Sequence, residues 1–323
     1  MLASSGSTRR PASIDELISP RLAAALDTLD MASRRVFPGK LQGERRSKAR
    51  GRSVEFEDYR QYVPGDDLRH IDWNVFARLD RFFIKVFQEE QDLALHVVLD
   101  ASASMDAGAP SKLLTAQKIA MSLAYLGLVN NNRVAVWVFG HRPGLARLGP
   151  IRGRTGVQQA GRFLLEEAGA RAGDGAAATF TEALSAIARS RSGRGVMVVL
   201  SDLLVPEGYQ RGLSALLGAG TGWDVTLLQT LSPGELDPLS ERDGAGGRVL
   251  LGDLRLTDAE TGRVAEVTAT ADLIGRYRAR LKTYQDGLRG FATARGMQHL
   301  VVRSDADVAS LMLDELRRRG LFR

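Results

Sequence analysis

The chain has 323 residues, of which 44% are apolar and 25% charged, and it contains no cysteine. Such a length suits about two domains, or one large domain with an extension, and can bury a sizeable core; the missing thiols exclude disulfide, thiol-nucleophile and zinc-thiolate chemistry. The net charge of +6 is local: Arg34 to Arg52 carries eight cations against Glu44 alone, and the rest of the chain sums to about −1.

In chain order, residues 1–12 are rich in Ser, Gly and Arg and read as a disordered tail. The opening "MLASSGSTRRPASIDEL" lacks the apolar core of a signal peptide. The best apolar run, Ile119 to Val129, falls short of the ~18 residues that a membrane helix needs. A cytoplasmic protein without membrane insertion is the expectation. From Ile14 to Val36 the apolar positions follow a roughly helical spacing, with Pro20 near the start. The basic segment 34–52 reads as an exposed loop. After it, a strand is expected near Val54–Tyr59, then a turn at Pro64–Gly65, a short helix capped by Asp66 or Asp67, and a strand over Arg81–Gln88. Residues 13–92 are read as one N-terminal region and 93–320 as the main domain.

Past Asp92 the texture changes. Short, continuously apolar runs at Leu95–Leu99, Val134–Phe139, Val196–Leu200, Val225–Thr230 and His299–Val302 read as strands covered on both faces. Helical patterns separate them, at Lys112–Leu128, Thr155–Ala168, Thr181–Ser190, Tyr209–Leu217 and Leu273–Ala294. Leu145–Ile151 reads as an extra edge strand, and 248–267 as an inserted hairpin turning near Glu260–Gly262. The alternation predicts an α/β fold with an open, doubly wound, mostly parallel sheet, carrying an N-terminal α+β extension.

In such sheets ligands bind beyond the carboxyl ends of the strands, where the strand order reverses. "VVLDASASMDAG" places Asp100 at such an end, with Ser102 and Ser104 at alternate positions behind it. Asp202 closes "GVMVVLSD", and "AAATFTEAL" puts Thr179 and Thr181 just before another helix. Asp100, Ser102, Ser104, Thr179 and Asp202 can therefore meet at one rim. All five offer hard oxygen donors, a set that suits Mg2+, with Mn2+ or Ca2+ as alternatives. An ion left with net positive charge and an open position can take a carboxylate from outside. Taken alone, "DASAS" also fits an ordinary helix-capping turn.

The loop "DASAS", the downstream threonine and the aspartate of "LSD" resemble the metal-ion-dependent adhesion site of von Willebrand factor A domains. The stretch from "GRSVEFEDYRQYVPGDDLRHIDW" to "VVLDASASM" also resembles the domain-of-unknown-function 58 family, in which E-F-x-D-x-R-x-Y-x-P-G-D-D-x-R-x-I-D-W leads into an A-type domain. That resemblance spans about residues 40–303. It implies a von Willebrand factor A-like, Rossmann-like fold and no enzymatic activity. It further implies an adaptor or co-chaperone role beside a MoxR-type AAA+ ATPase or that ATPase's client. The A-domain pattern favours Thr179 as the ligand, with Thr181 nearer the helix cap. Many relatives begin with membrane helices; this sequence shows none.

Other readings remain. Asp58, Arg60, Asp66, Asp67, Arg69 and Asp72 can pair among themselves and Trp73 can pack against the fold, or this face can contact the ATPase. A Mg2+-dependent phosphoesterase would want a second acid at Ser102, a lysine near the phosphate and a general base, none of them evident. Segment 34–52 could bind nucleic acid, but aromatic residues are not interleaved in it and no nucleic-acid-binding fold is recognised. His70, His96, His141 and His299 lack zinc-ligand spacing, and neither a G-x-S-x-G elbow nor a P-loop is present.

Overall fold

A computed structural model describes residues 10–31, 55–63, 71–88, 94–169, 177–190, 195–218, 222–240, 252–258 and 262–322. The chain divides into two compact units, Met1–Arg35 with Leu93–Arg323, and Val36–Asp92.

The larger unit begins with helices α1 (Ile14–Leu17) and α2 (Pro20–Leu26). The single helix suggested by the spacing is broken between them because Ser19 caps α2 and Pro20 occupies its first turn. Leu17, Leu22 and Leu26 are buried, and α1 and α2 pack on the long helix α4 defined below. Segment 14–31, read from sequence together with the region up to residue 92, thus packs within the larger unit. Of the expected tail, residues 1–9 lie outside the described residues; Arg10 pairs with Asp106 across 3.0 Å.

In the smaller unit β1 (Glu55–Gln61) pairs antiparallel with β2 (Phe83–Gln88), with an irregularity between Phe56 and Asp58. Between them α3 (Trp73–Leu79) is capped by Asp72, whose Oδ1 accepts from the amides of Asn74 and Val75. The Pro64–Gly65 turn, the caps assigned to Asp66 and Asp67, and the expected 34–52 loop lie outside the described residues. Trp73 is 62% exposed and packs only by its ring. It forms edge contacts with Phe76 and Phe82, which stack on each other at 4.4 Å.

The larger unit continues with β3 (Ala94–Asp100), α4 (Lys112–Val129), β4 (Arg133–Phe139), β5 (Ala146–Ile151), α5 (Gly156–Gly169), α6 (Phe180–Ser190), β6 (Gly195–Ser201), α7 (Gln210–Gly218) and β7 (Trp223–Leu231). After the short α8 (Pro233–Leu236) come the hairpin β8 (Gly252–Thr257) and β9 (Val264–Ala269), the 23-residue α9 (Ala271–Thr293) and β10 (Gln298–Arg303). The six-stranded sheet has the order β10-β7-β6-β3-β4-β5. All its neighbours are parallel except β5, the edge strand read from sequence, which runs antiparallel to β4. Residues of β3, β6 and β7 are buried throughout, because helices cover both faces. On one face α4 lies against β3, β4, β6 and β7. On the other, Phe180, Leu184 and Ile187 of α6, Leu213 and Leu216 of α7, and Leu288 and Ala292 of α9 join Val98, Trp137, Val199 and Leu227 in one apolar cluster.

Two short pieces of backbone stitch the larger unit together: Met31 bridges Phe322, and both side chains are buried. Among the described residues no helix is long and apolar enough to cross a membrane.

Candidate functional site

The strand order decides where a site can form. The chain leaves β3 for β4 on one side, and the next parallel strand, β6, returns on the other. The carboxyl ends of β3 and β6 therefore flank the switch crevice. Asp100 is the last residue of β3 and Asp202 follows the last residue of β6.

Asp100 is 5% exposed. Its Oδ1 accepts from the Ser102 amide at 2.9 Å and its Oδ2 from the Ser201 hydroxyl at 2.7 Å. Among the described residues no Lys, Arg or His pairs with it. Burial, reinforced by the charge of Asp202 and opposed by the Ser201 and Ser102 hydrogen bonds, pushes its carboxyl up to about 6. Gly140, just past β4, makes room for this loop. Its φ is +87°, and a Cβ there would stand 2.9 Å from Asp100 Oδ1. The Ser102 and Ser104 hydroxyls lie 3.1 Å apart.

Asp202 is committed differently. Its Oδ1 accepts from the Leu204 amide and its Oδ2 from the ammonium of Lys112 at 2.9 Å. Lys112 is fully buried and also donates to Glu235 Oε1 at 2.5 Å. Glu235 is held by a reciprocal capping box with Ser232 at the start of α8. Two tyrosines of α9 secure the flanking loops: Tyr277 donates to the Glu235 carbonyl at 2.6 Å and Tyr284 to the Leu203 carbonyl at 2.5 Å. Leu203 adopts φ +54°, a left-handed conformation costly for a branched residue, held by the Tyr284 bond and by its own amide to Ser201 Oγ.

Asp100, Ser102, Ser104 and Asp202 are thus gathered at one crevice. Thr179 is used locally. It is exposed, its Oγ1 accepts from the Glu182 amide, and its own amide donates to Glu182 Oε2. It therefore caps α6, the place expected for Thr181, while Thr181 Oγ1 is buried without a hydrogen-bond partner. Among the described residues no hydrogen bond or ion pair links Thr179 to the Asp100 cluster. Lys112 and Glu235 are the members that sequence reading missed. The usable signal was a lone cation at the head of a helix whose buried residues include Leu113, Ala116, Ile119, Ala120 and Leu123.

The donor set has a definite chemistry. Adjacent ligands of an octahedral Mg2+ at about 2.1 Å stand roughly 3 Å apart, and the serine hydroxyls already have that spacing. Asp100 adds a buried negative charge. Among the described residues no group of three or more His, Asp or Glu side chains could hold a metal, so hydroxyls and waters would have to complete the shell. By donor type and spacing Asp100, Ser102 and Ser104 could hold such an ion, while the Asp202 oxygens already accept from Lys112 and the Leu204 amide.

Residues 58–286 match the family described as "Protein of unknown function DUF58". The chain belongs to that family. Its relatives include an uncharacterized protein of Mycobacterium bovis, 27% identical over 295 residues, which cover 90% of this chain and 88% of the relative. An uncharacterized protein of Mycobacterium tuberculosis matches to the same extent. A third, from Mycobacterium avium, is 28% identical over 152 residues, 46% of this chain and 82% of its own length. Among solved structures, that of an aerotolerance-related membrane protein from Bacteroides fragilis, with multiple mutations to serines, is 16% identical and covers 71% of this chain and 98% of that one. Its TM-score is 0.40, a likeness that says nothing about the function of this DUF58 member.

Proposed function

We propose that the chain is a non-enzymatic, metal-dependent interaction module of the von Willebrand factor A type. In this reading Asp100, Ser102 and Ser104 hold Mg2+ at the switch crevice, and an acidic residue of a partner protein completes the shell. The observation that carries the reading is Asp100: a buried carboxylate with no cationic partner among the described residues, beside two hydroxyls spaced as neighbouring ligands. Bound there, Mg2+ would supply the missing positive charge and keep an open position. Asp202 joins through water, because Lys112 and the Leu204 amide occupy its oxygens. Thr179 joins only by giving up its cap on α6. The partner expected from the family resemblance is a MoxR-type AAA+ ATPase or its client, met in the cytoplasm.

The test is co-purification of this chain with a candidate ATPase, with Mg2+ and with excess chelator. Capture that needs Mg2+ and is lost in Asp100→Ala supports the reading; equal capture in chelator removes the metal from it. One observation favours the phosphoesterase alternative: Lys112 supplies a lysine beside Asp202. It is buried and held by two carboxylates, and Ser102 still stands where a second acid would be wanted. Turnover of p-nitrophenyl phosphate that disappears in Asp100→Asn would favour the enzyme. The nucleic-acid alternative, through residues 34–52, is separated by a retardation assay over a salt series.

A further inference from the structure

Lys112 opens α4, and its side chain is among the largest of those fully buried. A buried ammonium survives only where carboxylates compensate it. Its two partners come from different loops, Asp202 after β6 and Glu235 in α8, at 2.9 and 2.5 Å. Neither carboxylate is free to leave. The second oxygen of Asp202 is held by the Leu204 amide, and the second oxygen of Glu235 by the Ser232 amide at 2.8 Å. The acids near the crevice are therefore divided: Asp202 and Glu235 already have a cation, and Asp100 has none among the described residues.

We infer that Lys112 is the resident counter-ion of the crevice: it holds Asp202 out of direct coordination and sets how tightly the Asp100 rim takes a divalent cation. This rests on the metal reading above and specifies how that site is regulated. A Mg2+ ion at Asp100, Ser102 and Ser104 meets one uncompensated carboxylate, so much of its charge remains for an acid supplied by a partner. Were Lys112 neutral, Asp202 could swing to the ion, tighten its hold and take the position that a partner's carboxylate would fill. Lys112 is a positioning residue in this scheme; it touches neither ion nor partner.

The experiment is calorimetric titration of MgCl2 into the full chain and its variants. Lys112→Met should bind Mg2+ at least about tenfold more tightly than wild type, since a unit charge near a divalent ion in a shielded crevice is worth at least that much. Asp202→Asn should cost several-fold more affinity in the Lys112→Met background than in wild type, because only there is Asp202 released. Equal or weaker Mg2+ binding by Lys112→Met, or an equal cost of Asp202→Asn in both backgrounds, overturns the inference. If Lys112→Met does not fold, Lys112→Met/Glu235→Gln, which removes the Glu235 charge together with its cation, carries the same expectation against Glu235→Gln. A wild-type chain without saturable, Asp100-dependent Mg2+ uptake defeats the metal reading itself, a separate outcome.

Discussion

A methyl group on the α-carbon of Gly140 would stand 2.9 Å from Asp100 Oδ1 and 2.8 Å from the Ser102 amide nitrogen. The end of β4 thus forms a wall of the Asp100 loop, and only glycine leaves the carboxylate its place. Gly140→Ala meets two obstacles, the contact and a φ of +87°. It is expected to cost about 1–3 kcal/mol. A thermal-unfolding midpoint lower by several degrees, with Mg2+ uptake weakened alongside, is the result to look for.

Asp100 is kept ionised at neutral pH at the expense of stability, because burial and the charge of Asp202 both oppose its charge. Asp100→Asn preserves the shape and removes the charge. The metal-free variant should therefore be more stable than wild type by about 1–3 kcal/mol. Mg2+ should raise the unfolding temperature of wild type and leave that of the variant unchanged. A variant less stable than wild type without metal would mean that the charge is already compensated.

Tyr277 and Tyr284 lie seven residues apart on α9 and donate to the carbonyls of Glu235 and Leu203, one on each loop beside the crevice. Tyr284→Phe should cost about 1 kcal/mol, the usual worth of one such bond. Tyr277→Phe should cost less, because Tyr277 is 38% exposed and water can replace it at the carbonyl. Urea unfolding of the two variants measures the difference.

His299, buried on β10, donates from Nε2 to Gln229 Oε1 at 3.0 Å. Burial, with the nearby charges of Arg289 and Arg319, lowers its pKa to about 4 from an ordinary 6.5. The unfolded chain therefore binds this proton first as pH falls. Stability from this group is complete above about pH 6.5 and is lost progressively toward pH 4. Between pH 7.5 and 5.5 the loss should be about 1 kcal/mol. His299→Gln should lack that increment when both chains are unfolded in urea at the two pH values.

The central strands were legible because a strand covered on both faces is apolar at most positions, and β3, β4, β6, β7 and β10 begin and end within two residues of the runs read from sequence. Asp100, Ser102, Ser104 and Asp202 were legible for a related reason: a polar residue ending such a run is left at the rim. What escaped depends on contacts between distant residues. The place of Lys112 at the head of an apolar helix is a local signal, but the carboxylates it meets stand 90 and 123 positions away and nothing local names them. Thr179 and Thr181 share the same short-range chemistry, so spacing could not decide which one caps α6. The break before Pro20 was written in the sequence, but the helical spacing runs on across it. That Trp73 can pack was legible, but its partners, Phe76 and Phe82 of the same small unit, were not.

The bridge between Met31 and Phe322 has a consequence for how the protein is made. Helices α1 and α2 leave the ribosome early, yet the surface that receives Leu17, Leu22 and Leu26 belongs to α4, about a hundred residues later. Until that surface has been synthesised, these leucines stay open to solvent and to chaperones. The closing stitch waits until residue 322 has emerged, so a nascent chain halted short of that point keeps an unlatched amino-terminal arm.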